Sequence, residues 1–437
     1  MRIKSYIRQA WVLLRQNRLF SALYIVGTGL AIGMTMIMAV IYYVKLAPVY
    51  PEVNRFRTYS LSSASFGTER NTYQAGLSYR ALQDWALGVK NAEVASVEYQ
   101  ADFAENCYIQ PADRTGDFHP VTRLTDPACF RIYAFRFLEG KPFTEADLVS
   151  GLHVAVITDD LSRRLFGTVE QVVGRTFSLN FMTFRVAGVV RSGSYLTRDS
   201  YAQLYLPYTV VPGYREPLSP QFPYVGQFSV TYLVQDAAQG KALWAEIQDI
   251  QRRINLEHKD EWKMDIWQQP TPHSRKVFQR YMNEKFNVWT IVRQLGLMVL
   301  VLLLVPALNL SGMIASRMES RLPEMGVRKS FGAGRRTLLG QVMWENLVLT
   351  LLGGVLGLFF AWLMLYAGRT WVFTLLDDYA SLIPAGAQAY VSGEMLFAPA
   401  VFLCALLVCI LLNLLSALVP AWLSLRKPIV YSLYERR

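Results

Sequence analysis

The segment RMESRLPEMGVRKSFGAGRRTLLGQVMWEN, Arg317–Asn346, decides the organisation of this 437-residue chain because it separates two long apolar runs. Pro323 cannot lie inside a helix but suits the first turn of a new one, and Glu324 follows it at the positive helix start. Arg328 falls near the negative helix end, and Gly332 permits a left-handed stop. The spacing therefore predicts a short separate helix between two longer apolar ones.

The chain has four charge-poor runs, of which the second and third lie on either side of this helix: Leu19–Val44, Gln294–Ser316, Asn346–Gly368 and Met395–Leu425. A transmembrane helix needs about 20 apolar residues, at about 1.5 Å each, to cross a hydrocarbon core of about 30 Å. The first run exceeds the roughly 7–15 apolar residues of a signal peptide, so we interpret it as a retained anchor. The sequence thus predicts an integral membrane protein with four transmembrane α-helices.

Basic residues are concentrated in three short segments of the chain, before the first run, between the second and third, and after the fourth. These segments hold fifteen Lys or Arg against three Glu, whereas the whole chain has a net charge of +11. This is the positive-inside pattern, which predicts cytoplasmic termini and a cytoplasmic Arg317–Arg336 segment. Because the topology accounts for the basic balance, we expect no nucleic-acid partner.

The segment between the first and second runs is predicted to be a large extracytoplasmic α/β domain. Its length of about 240 residues exceeds a typical single core, which favours two subdomains. Strands are predicted at His153–Thr158, Thr176–Val190, Tyr201–Tyr208 and Phe228–Val234, and helices at Ser78–Val89, Asp159–Gly167 and Ala237–Asn255. Asp159 or Asp160 is the expected N-cap of the second helix, and Gly167 its stop.

The sequence carries no recognisable catalytic or metal-binding pattern. It has no H-E-x-x-H, C-x-x-C, G-x-S-x-G or P-loop motif, and its four histidines do not pair at metal-ligand spacing. Cys107 and Cys129 lie 22 residues apart in the exported segment, where a disulfide is one possibility and free thiols the other. We expect a non-catalytic protein that binds no metal.

Several stretches resemble one family of permeases. The run Arg321–Ala333, RLPEMGVRKSFGA, with Gln341, Glu345 and LLGGVLG at Leu351–Gly357, is similar to the FtsX-like permease signature. In the exported segment, Phe137–Asp147 and Val154–Val190 resemble the MacB-type periplasmic core domain, and Ala417–Leu433 resembles the family's C-terminal end.

The resemblance implies the permease subunit of a MacB/FtsX-like ABC transporter in the bacterial inner membrane. Such subunits work as dimers, with an identical copy or a paralogue, and transmit the motion of a cytosolic ABC ATPase. ATP and Mg would be bound by that separate ATPase and no cofactor by this chain. Membrane lipids, a periplasmic adaptor and an outer-membrane channel are further expected partners. The substrate would be exported or extracted at the cell envelope.

The residue pattern and the resemblance together assign segments and residues. The expected segments are a cytoplasmic amphipathic helix at 1–18, the first transmembrane helix at 19–44, the periplasmic core domain at 45–285, and the FtsX-like permease domain at 286–437. The last contains transmembrane helices at about 288–316, 338–368 and 396–425, and the short helix at about 323–331. That short helix would be the coupling helix that contacts the ATPase. Its expected contact residues are Arg321, Glu324, Met325, Gly326, Val327, Arg328 and Lys329; the expected structural signature is Gly332, Glu345, Gly353, Gly354 and Gly357.

Two other functions remain open from the sequence. The chain could be an envelope sensor or scaffold that binds a ligand or regulates a periplasmic hydrolase, as in the cell-division branch of the family. The large exported segment favours the exporter-like branch, since the division branch has a smaller one. A membrane-anchored enzyme is the third alternative, and no catalytic constellation supports it.

Overall fold

The computed structural model describes residues 18–68, 72–101, 104, 106–110, 118–279, 286–367 and 399–426. The predicted amphipathic helix before Arg18, the outer loop at 369–394 and the end of the chain after Arg426 lie outside them. The described residues form two compact units. The helical unit comprises residues 18–43, 287–367 and 399–426, and the inserted unit comprises residues 44–286.

The α-helices of the described residues are α1 (Arg18–Leu46), α2 (Tyr79–Ala81), α3 (Cys129–Ile132), α4 (Glu145–Val149), α5 (Asp159–Phe166), α6 (Ala237–Glu257), α7 (His273–Lys276), α8 (Val288–Ser320), α9 (Leu322–Ser330), α10 (Arg335–Ala367) and α11 (Pro399–Arg426). The strands are β1 (Thr58–Leu61), β2 (Ala64–Gly67), β3 (Thr72–Leu77), β4 (Val94–Tyr99), β5 (Ile109–Gln110), β6 (Thr122–Thr125), β7 (Phe137–Gly140), β8 (Val154–Thr158), β9 (Thr176–Leu179), β10 (Met182–Val190), β11 (Leu204–Pro207), β12 (Val225–Gly226), β13 (Phe228–Leu233), β14 (Lys263–Asp265) and β15 (Thr271–Pro272).

Three helices of the described residues are long and apolar enough to cross a membrane, within α1 (Ser21–Leu46), α10 (Arg335–Ala367) and α11 (Phe402–Leu423). Helix α8 is continuous over 33 residues, and the described apolar part of it is the shorter stretch Val288–Val301. The apolar helices therefore fit the membrane class predicted from the sequence. The count of four membrane spans stays a prediction.

The helical unit is held together by α11, which packs against both α8 and α10. A small cluster of buried side chains joins these helices to α1 and α9. Its members are Tyr24, Ile314, Met318, Met325, Leu338, Val342, Leu349, Ala417 and Ala421. The short helix α9 is thus packed onto the longer helices rather than free in solvent.

The inserted unit is built on one connected network of strands. Their order is β14-β2-β3-β13-β4-β6-β11-β8-β10-β9-β5, with β1 and β15 joined through β13, β12 through β3 and β7 through β10. Most pairs are antiparallel, and β8–β10 and β6–β11 are parallel. Because parallel neighbours need a crossover, the chain passes through α5 between β8 and β10. The strands of the inserted unit thus form one hydrogen-bonded network, and the division into two subdomains stays a prediction.

The α/β character predicted for this segment is confirmed, with two corrections of detail. The run Thr176–Val190 is two strands, because Asn180 and Phe181 form a left-handed turn with φ of 47° and 63°. The N-cap of α5 is Thr158, whose hydroxyl accepts from the backbone N–H of Leu161. Asp159 instead accepts from the Ser192 backbone N–H at 2.7 Å, at the end of β10. Gly167 ends α5 with φ of +72°, as expected.

Cys107 and Cys129 are not bridged, so the disulfide considered from the sequence does not form. Cys107 is buried in the main core, whereas Cys129 is buried in a separate cluster with Val94, Ile132 and Tyr133. Burial raises the pKa of the Cys107 thiol to about 11 and that of Cys129 to about 12. Both thiols are therefore protonated and unreactive in the folded protein.

We expect Cys107 and Cys129 to resist a thiol-reactive maleimide in the native chain and to react fully after denaturation without a reductant. The reason is burial rather than oxidation, since both thiols are shielded from solvent. Mass spectrometry of the alkylated chain would count the modified cysteines. Failure of both residues to react in denaturant, followed by reaction once a reductant is added, would show that they are bridged.

Candidate functional site

Helix α9 is a separate nine-residue element because both of its ends are marked in the sequence. Helix α8 stops at Arg321, which has the non-helical pair φ −100° and ψ 0°, and Pro323 occupies the first turn of α9. At the other end Gly332 has φ of +86°. The Gly332 N–H donates to Lys329 O, and the Ala333 N–H donates to Arg328 O, both at 3.0 Å. This pair of bonds is a Schellman motif, which closes the helix.

The inner face of α9 is formed by Met325 and Gly326, which are both buried. Met325 is 6% exposed and packs in the cluster with Met318, Leu338 and Val342. The sequence had placed Met325 among the side chains that would contact a partner. In the structure, the Met325 side chain is buried against other helices of the same chain. Met325 therefore fixes how α9 lies on α10.

The strongest polar contact of the site joins Arg321 to Glu345. The Arg321 Nη1 donates to Glu345 Oε2 at 2.7 Å, and Nη2 approaches Oε1 at 3.4 Å. The two side chains are only 12% and 4% exposed. Arg321 lies at the junction of α8 and α9, whereas Glu345 lies on the third turn of α10. This fork-shaped pair ties the junction to α10 in low-dielectric surroundings.

Three further side chains extend this pair into a closed ring, which we call the polar ring: Arg321, Glu324, Arg328, Gln341 and Glu345. Arg328 donates to Glu324 Oε1 and to Gln341 Oε1, both at 2.7 Å. Gln341 Nε2 donates to Glu345 Oε1 at 3.2 Å. Arg321 Nε lies 3.6 Å from Glu324 Oε2, which completes the ring as an ion pair.

The polar ring gives α9 a defined position and leaves one face for other contacts. Two of its members are partly accessible, Glu324 at 49% and Arg328 at 39%. The accessible apolar side chains of this region are Val327 at 45% and Phe331 at 87%. Lys329 is half-buried on the last turn. The exposed bases Arg335 and Arg336 follow at the start of α10. We call Val327 and Phe331 the apolar edge of α9.

The signature glycines of α10 allow close approach to two neighbouring helices. A Cβ added at Gly357 would lie 2.5 Å from Gly29 O of α1, and one at Gly353 would lie 3.1 Å from Ile25 O. In return, a Cβ at Gly33 would lie 3.0 Å from Gly357 O. Gly354 faces α11, where its Cβ would lie 2.8 Å from Leu406 Cδ1. Two G-x-x-x-G patterns, one on each helix, therefore pack backbone to backbone.

Sequence reasoning left Gly29 and Gly33 of α1 out of the site. The signal was present, because these two glycines form a G-x-x-x-G pattern inside the first apolar run. Gln341 was noted only as part of a resemblance, and it bridges Arg328 and Glu345 in the polar ring. Helical spacing explains its place, since Gln341 and Glu345 are four residues apart and share one face of α10.

The polar ring joins residues of three elements through hydrogen bonds and ion pairs among its own members. Each ring member contacts another ring member, and the one group of three close potential metal ligands among the described residues lies in the inserted unit, at Glu52, Asp199 and His273. The ring and Met325 together connect α9 to both α8 and α10 by direct contacts. The exposed part of the site is suited to contact a surface outside the helical unit.

Two family models match the chain in sequence. The MacB-like periplasmic core domain matches residues 21–250, and the FtsX-like permease C-terminal domain matches residues 296–429. Among curated proteins, the macrolide export ATP-binding/permease protein MacB of Escherichia coli K12 is 22% identical over 365 residues, which cover 80% of this chain and 51% of that protein. The MacB protein of Escherichia coli O157:H7 matches to the same extent. The chain thus spans about half the length of these curated relatives.

Two solved structures can be compared with part of this chain. The periplasmic region of MacB from Actinobacillus actinomycetemcomitans matches with 16% identity and a TM-score of 0.34, covering 48% of this chain and 90% of that one. A domain of a putative permease protein from Porphyromonas gingivalis matches with 15% identity and a TM-score of 0.36, covering 56% and 98%.

The first family model alone spans more than half of the chain, and the second covers the region that contains the polar ring and the signature glycines. Together they account for the α/β domain inserted after the first apolar helix and for the helices that follow it. The protein therefore belongs to the MacB/FtsX-like family of ABC transporter permeases.

Proposed function

We propose that this protein is the membrane subunit of an ABC transporter that couples ATP hydrolysis on a cytosolic ATPase to motion of its periplasmic domain. The motion would serve export or extraction of a substrate at the cell envelope. In this proposal the chain itself is not an enzyme, and ATP and Mg are bound by the partner ATPase. The chain lies in the inner membrane with its termini and α9 in the cytoplasm, as the distribution of basic residues supports.

The observation that carries the proposal is the exposure of the apolar edge on a helix that is otherwise firmly held. Phe331 is 87% exposed, although burial of a phenylalanine side chain is favourable in free energy. The side chains behind it are fixed by Met325 and the polar ring. A rigidly held element with an exposed aromatic side chain is suited to insert into a groove of a partner. Val327, Phe331 and the nearby bases are therefore the proposed ATPase contact surface.

Glu324, Arg328 and Lys329 have a more limited role in this proposal than the one expected from sequence. Arg328 already donates hydrogen bonds to Glu324 and to Gln341 within this chain. Only the accessible atoms of Glu324 and Arg328 therefore remain for the partner. We propose in addition that two permease chains assemble in one transporter, with an identical copy or a paralogue. A periplasmic adaptor and an outer-membrane channel are proposed further partners, in keeping with the exporter-like domain size.

We expect Phe331→Asp and Val327→Asp to weaken association with the ATPase by at least about tenfold while the chain remains folded and inserted in the membrane. The reason is that a buried hot-spot side chain contributes about 2 kcal/mol or more to an interface, and a carboxylate there would be desolvated. The measurement is affinity purification of the tagged chain from native membranes, with quantification of the co-eluting ATPase by mass spectrometry.

The matched control is Phe181→Asp, because Phe181 is an 81% exposed aromatic side chain of the inserted unit. Its replacement should leave the recovered ATPase unchanged. Should no ABC ATPase co-purify even with the unaltered chain, the transporter proposal fails, and a sensor or scaffold function becomes the better interpretation.

A further inference from the structure

Two exposed apolar side chains lie on the segment that directly follows α1. The last turn of this helix, from Val44, belongs to the inserted unit, so the position of the helix end within that unit is defined. Arg55 Nη1 donates to the carbonyl oxygens of Val44 and Ala47, at 2.5 Å and 2.8 Å. The segment after α1 is therefore folded back against the end of the helix. Val53 and Phe56 lie on it, and they are 45% and 67% exposed.

Two further segments of the inserted unit are hydrogen-bonded to this one. The side-chain amide of Asn54 donates to Ile132 O at 2.8 Å. The hydroxyl of Tyr50 donates to Arg191 O at 2.8 Å and accepts from the Arg136 N–H at 3.2 Å. These bonds bring α3 with the loop that follows it, and the end of β10, to the first residues after α1.

Exposed arginine side chains are concentrated at the same place. Three of them lie on the two bonded segments, and the fourth lies on α7, where the His273 ring is 3.0 Å from Lys45 O at the end of α1. The four are Arg131, Arg136, Arg191 and Arg275. We call these arginines, together with Val53 and Phe56, the collar.

The collar is a local concentration of positive charge. Within the part of the chain that the structure describes, none of its four guanidinium groups forms an ion pair with a carboxylate. A carboxylate in the same neighbourhood, that of Asp159, accepts from the Ser192 N–H at 2.7 Å. A guanidinium group stays protonated at physiological pH. Because the chain outside its three basic segments is close to neutral, the collar does not reflect a basic inserted unit as a whole.

The end of α1 falls at the level of lipid headgroups. The apolar part of this helix, Ser21–Leu46, has 26 residues. At about 1.5 Å per residue it is about 39 Å long. This length exceeds a hydrocarbon core of about 30 Å, and it stays below the roughly 40–45 Å of a bilayer with its headgroups. Since Arg55 contacts Val44 and Ala47 directly, its neighbour Phe56 lies close to the same level.

We propose that the collar contacts the periplasmic leaflet of the inner membrane, with Val53 and Phe56 inserted among the lipids and the four arginines on phosphate groups of anionic lipids. Aromatic side chains are enriched at this depth, and guanidinium groups bind phosphate with paired hydrogen bonds. The bilayer is the occupant of this surface because α1 continues from the collar into the membrane. The inference rests on the proposed placement of the inserted unit outside the inner membrane. Such a contact would hold that unit against the bilayer through more than its covalent link to α1.

The test replaces Phe56 by the photoreactive residue p-benzoylphenylalanine in the full chain. The chain is reconstituted in nanodiscs of equal parts phosphatidylglycerol and phosphatidylethanolamine with the same acyl chains. After irradiation, mass spectrometry counts the lipid adducts at this position. We expect adducts at least about tenfold more frequent than with the same residue at position 181.

Phe181 is the matched control because it is an 81% exposed aromatic side chain of the same unit. It lies in the turn before β10, whose other end is bonded to Tyr50 through Arg191. The nine residues of β10 separate the two places by about 25–30 Å. A lipid contact specific to the collar should therefore be absent at position 181.

The headgroup of the captured lipid is the second readout. We expect position 56 to capture phosphatidylglycerol about fivefold or more in excess of phosphatidylethanolamine, since each arginine near an anionic surface contributes a factor of about five in binding. The collar variant should bring this ratio close to that of the lipid mixture; its changes are Arg131→Gln, Arg136→Gln, Arg191→Gln and Arg275→Gln. The control variant removes the same charge at four exposed arginines elsewhere in the unit and should keep the excess; its changes are Arg163→Gln, Arg175→Gln, Arg185→Gln and Arg253→Gln.

Three results would overturn the inference. These are equal adduct frequencies at positions 56 and 181, capture of a second protein instead of lipid at position 56, and equal capture of the two lipids by the unaltered chain. The adduct frequency needs no charge variant, so it decides the question even if the collar variant misfolds. Neither readout needs an ATPase. Absence of an ATPase from the affinity purification would leave the lipid contact intact, and absence of the lipid contact would leave ATPase association unaffected.

Discussion

The replacement Glu345→Leu is expected to destabilise the helical unit by about 3–5 kcal/mol and to abolish stimulation of the ATPase by the permease. The carboxylate of Glu345 is 4% exposed and is the main partner of Arg321, which is 12% exposed. Removal of one member of a buried ion pair leaves the other charge desolvated without compensation. Gln341 would lose its acceptor as well, so the polar ring would open at two points.

The mechanical consequence distinguishes this variant from ordinary destabilisation. Helix α9 would keep its packing through Met325 but lose the tie between its start and α10. In the proposed coupling, a push by the ATPase on α9 would then rotate this helix instead of moving α8 and α10. The measurement is the unfolding midpoint of the purified chain in a denaturing-detergent titration, together with ATPase activity after reconstitution with the partner.

Two controls bracket the Glu345 result. Glu324→Gln weakens a half-exposed pair, so it should cost no more than about 1 kcal/mol. The double variant Arg321→Met with Glu345→Leu removes both charges and should recover most of the stability, as replaced buried pairs often do. If Glu345→Leu unfolds at the same midpoint as the unaltered chain, the buried pair does not hold the helices together.

Local features of this fold follow from the sequence because each depends on neighbouring residues. Pro323 and Gly332 bound α9 by fixed backbone preferences, and the β-branched run Val154–Thr158 forms a strand that is buried along its whole length. The family itself is visible in the runs around α9 and β8, and the family models confirm it.

Features that depend on the rotation of a helix or on distant segments were not accessible in the same way. Met325 and Val327 are both apolar and two residues apart, so a short helix must turn one inward and the other outward, and only packing decides which. Thr158 and Asp159 are both good N-caps, and the choice depends on Ser192, which is 33 residues further along the chain. The ring nitrogens of His273 lie within hydrogen-bond distance of Asp199 and of the Lys45 carbonyl, and both residues are far from His273 in the sequence.

Gly357→Val is expected to cost about 3 kcal/mol or more and to prevent α1 and α10 from packing. A Cβ at this position would lie 2.5 Å from Gly29 O and 3.0 Å from Gly33 N, which are backbone atoms that cannot rotate away. Overpacking that flexible side chains can absorb costs about 1–3 kcal/mol, and here the whole helix must move instead. The separation would also remove the contact of Tyr24 with Thr350, whose hydroxyls lie 3.4 Å apart.

The chain supplies a matched control on each of the two helices. Gly340 of α10 and Gly27 of α1 have no atom within 4 Å of an added Cβ. Gly340→Val and Gly27→Val therefore carry the same change in helix propensity without the clash, and each should leave the unfolding midpoint within about 1 kcal/mol of the unaltered chain. Gly29→Val should behave like Gly357→Val, because its Cβ would lie 3.0 Å from Gly353 O. Equal midpoints for Gly357→Val and Gly340→Val would mean that the two helices are not in backbone contact, and the paired G-x-x-x-G interface would have to be abandoned.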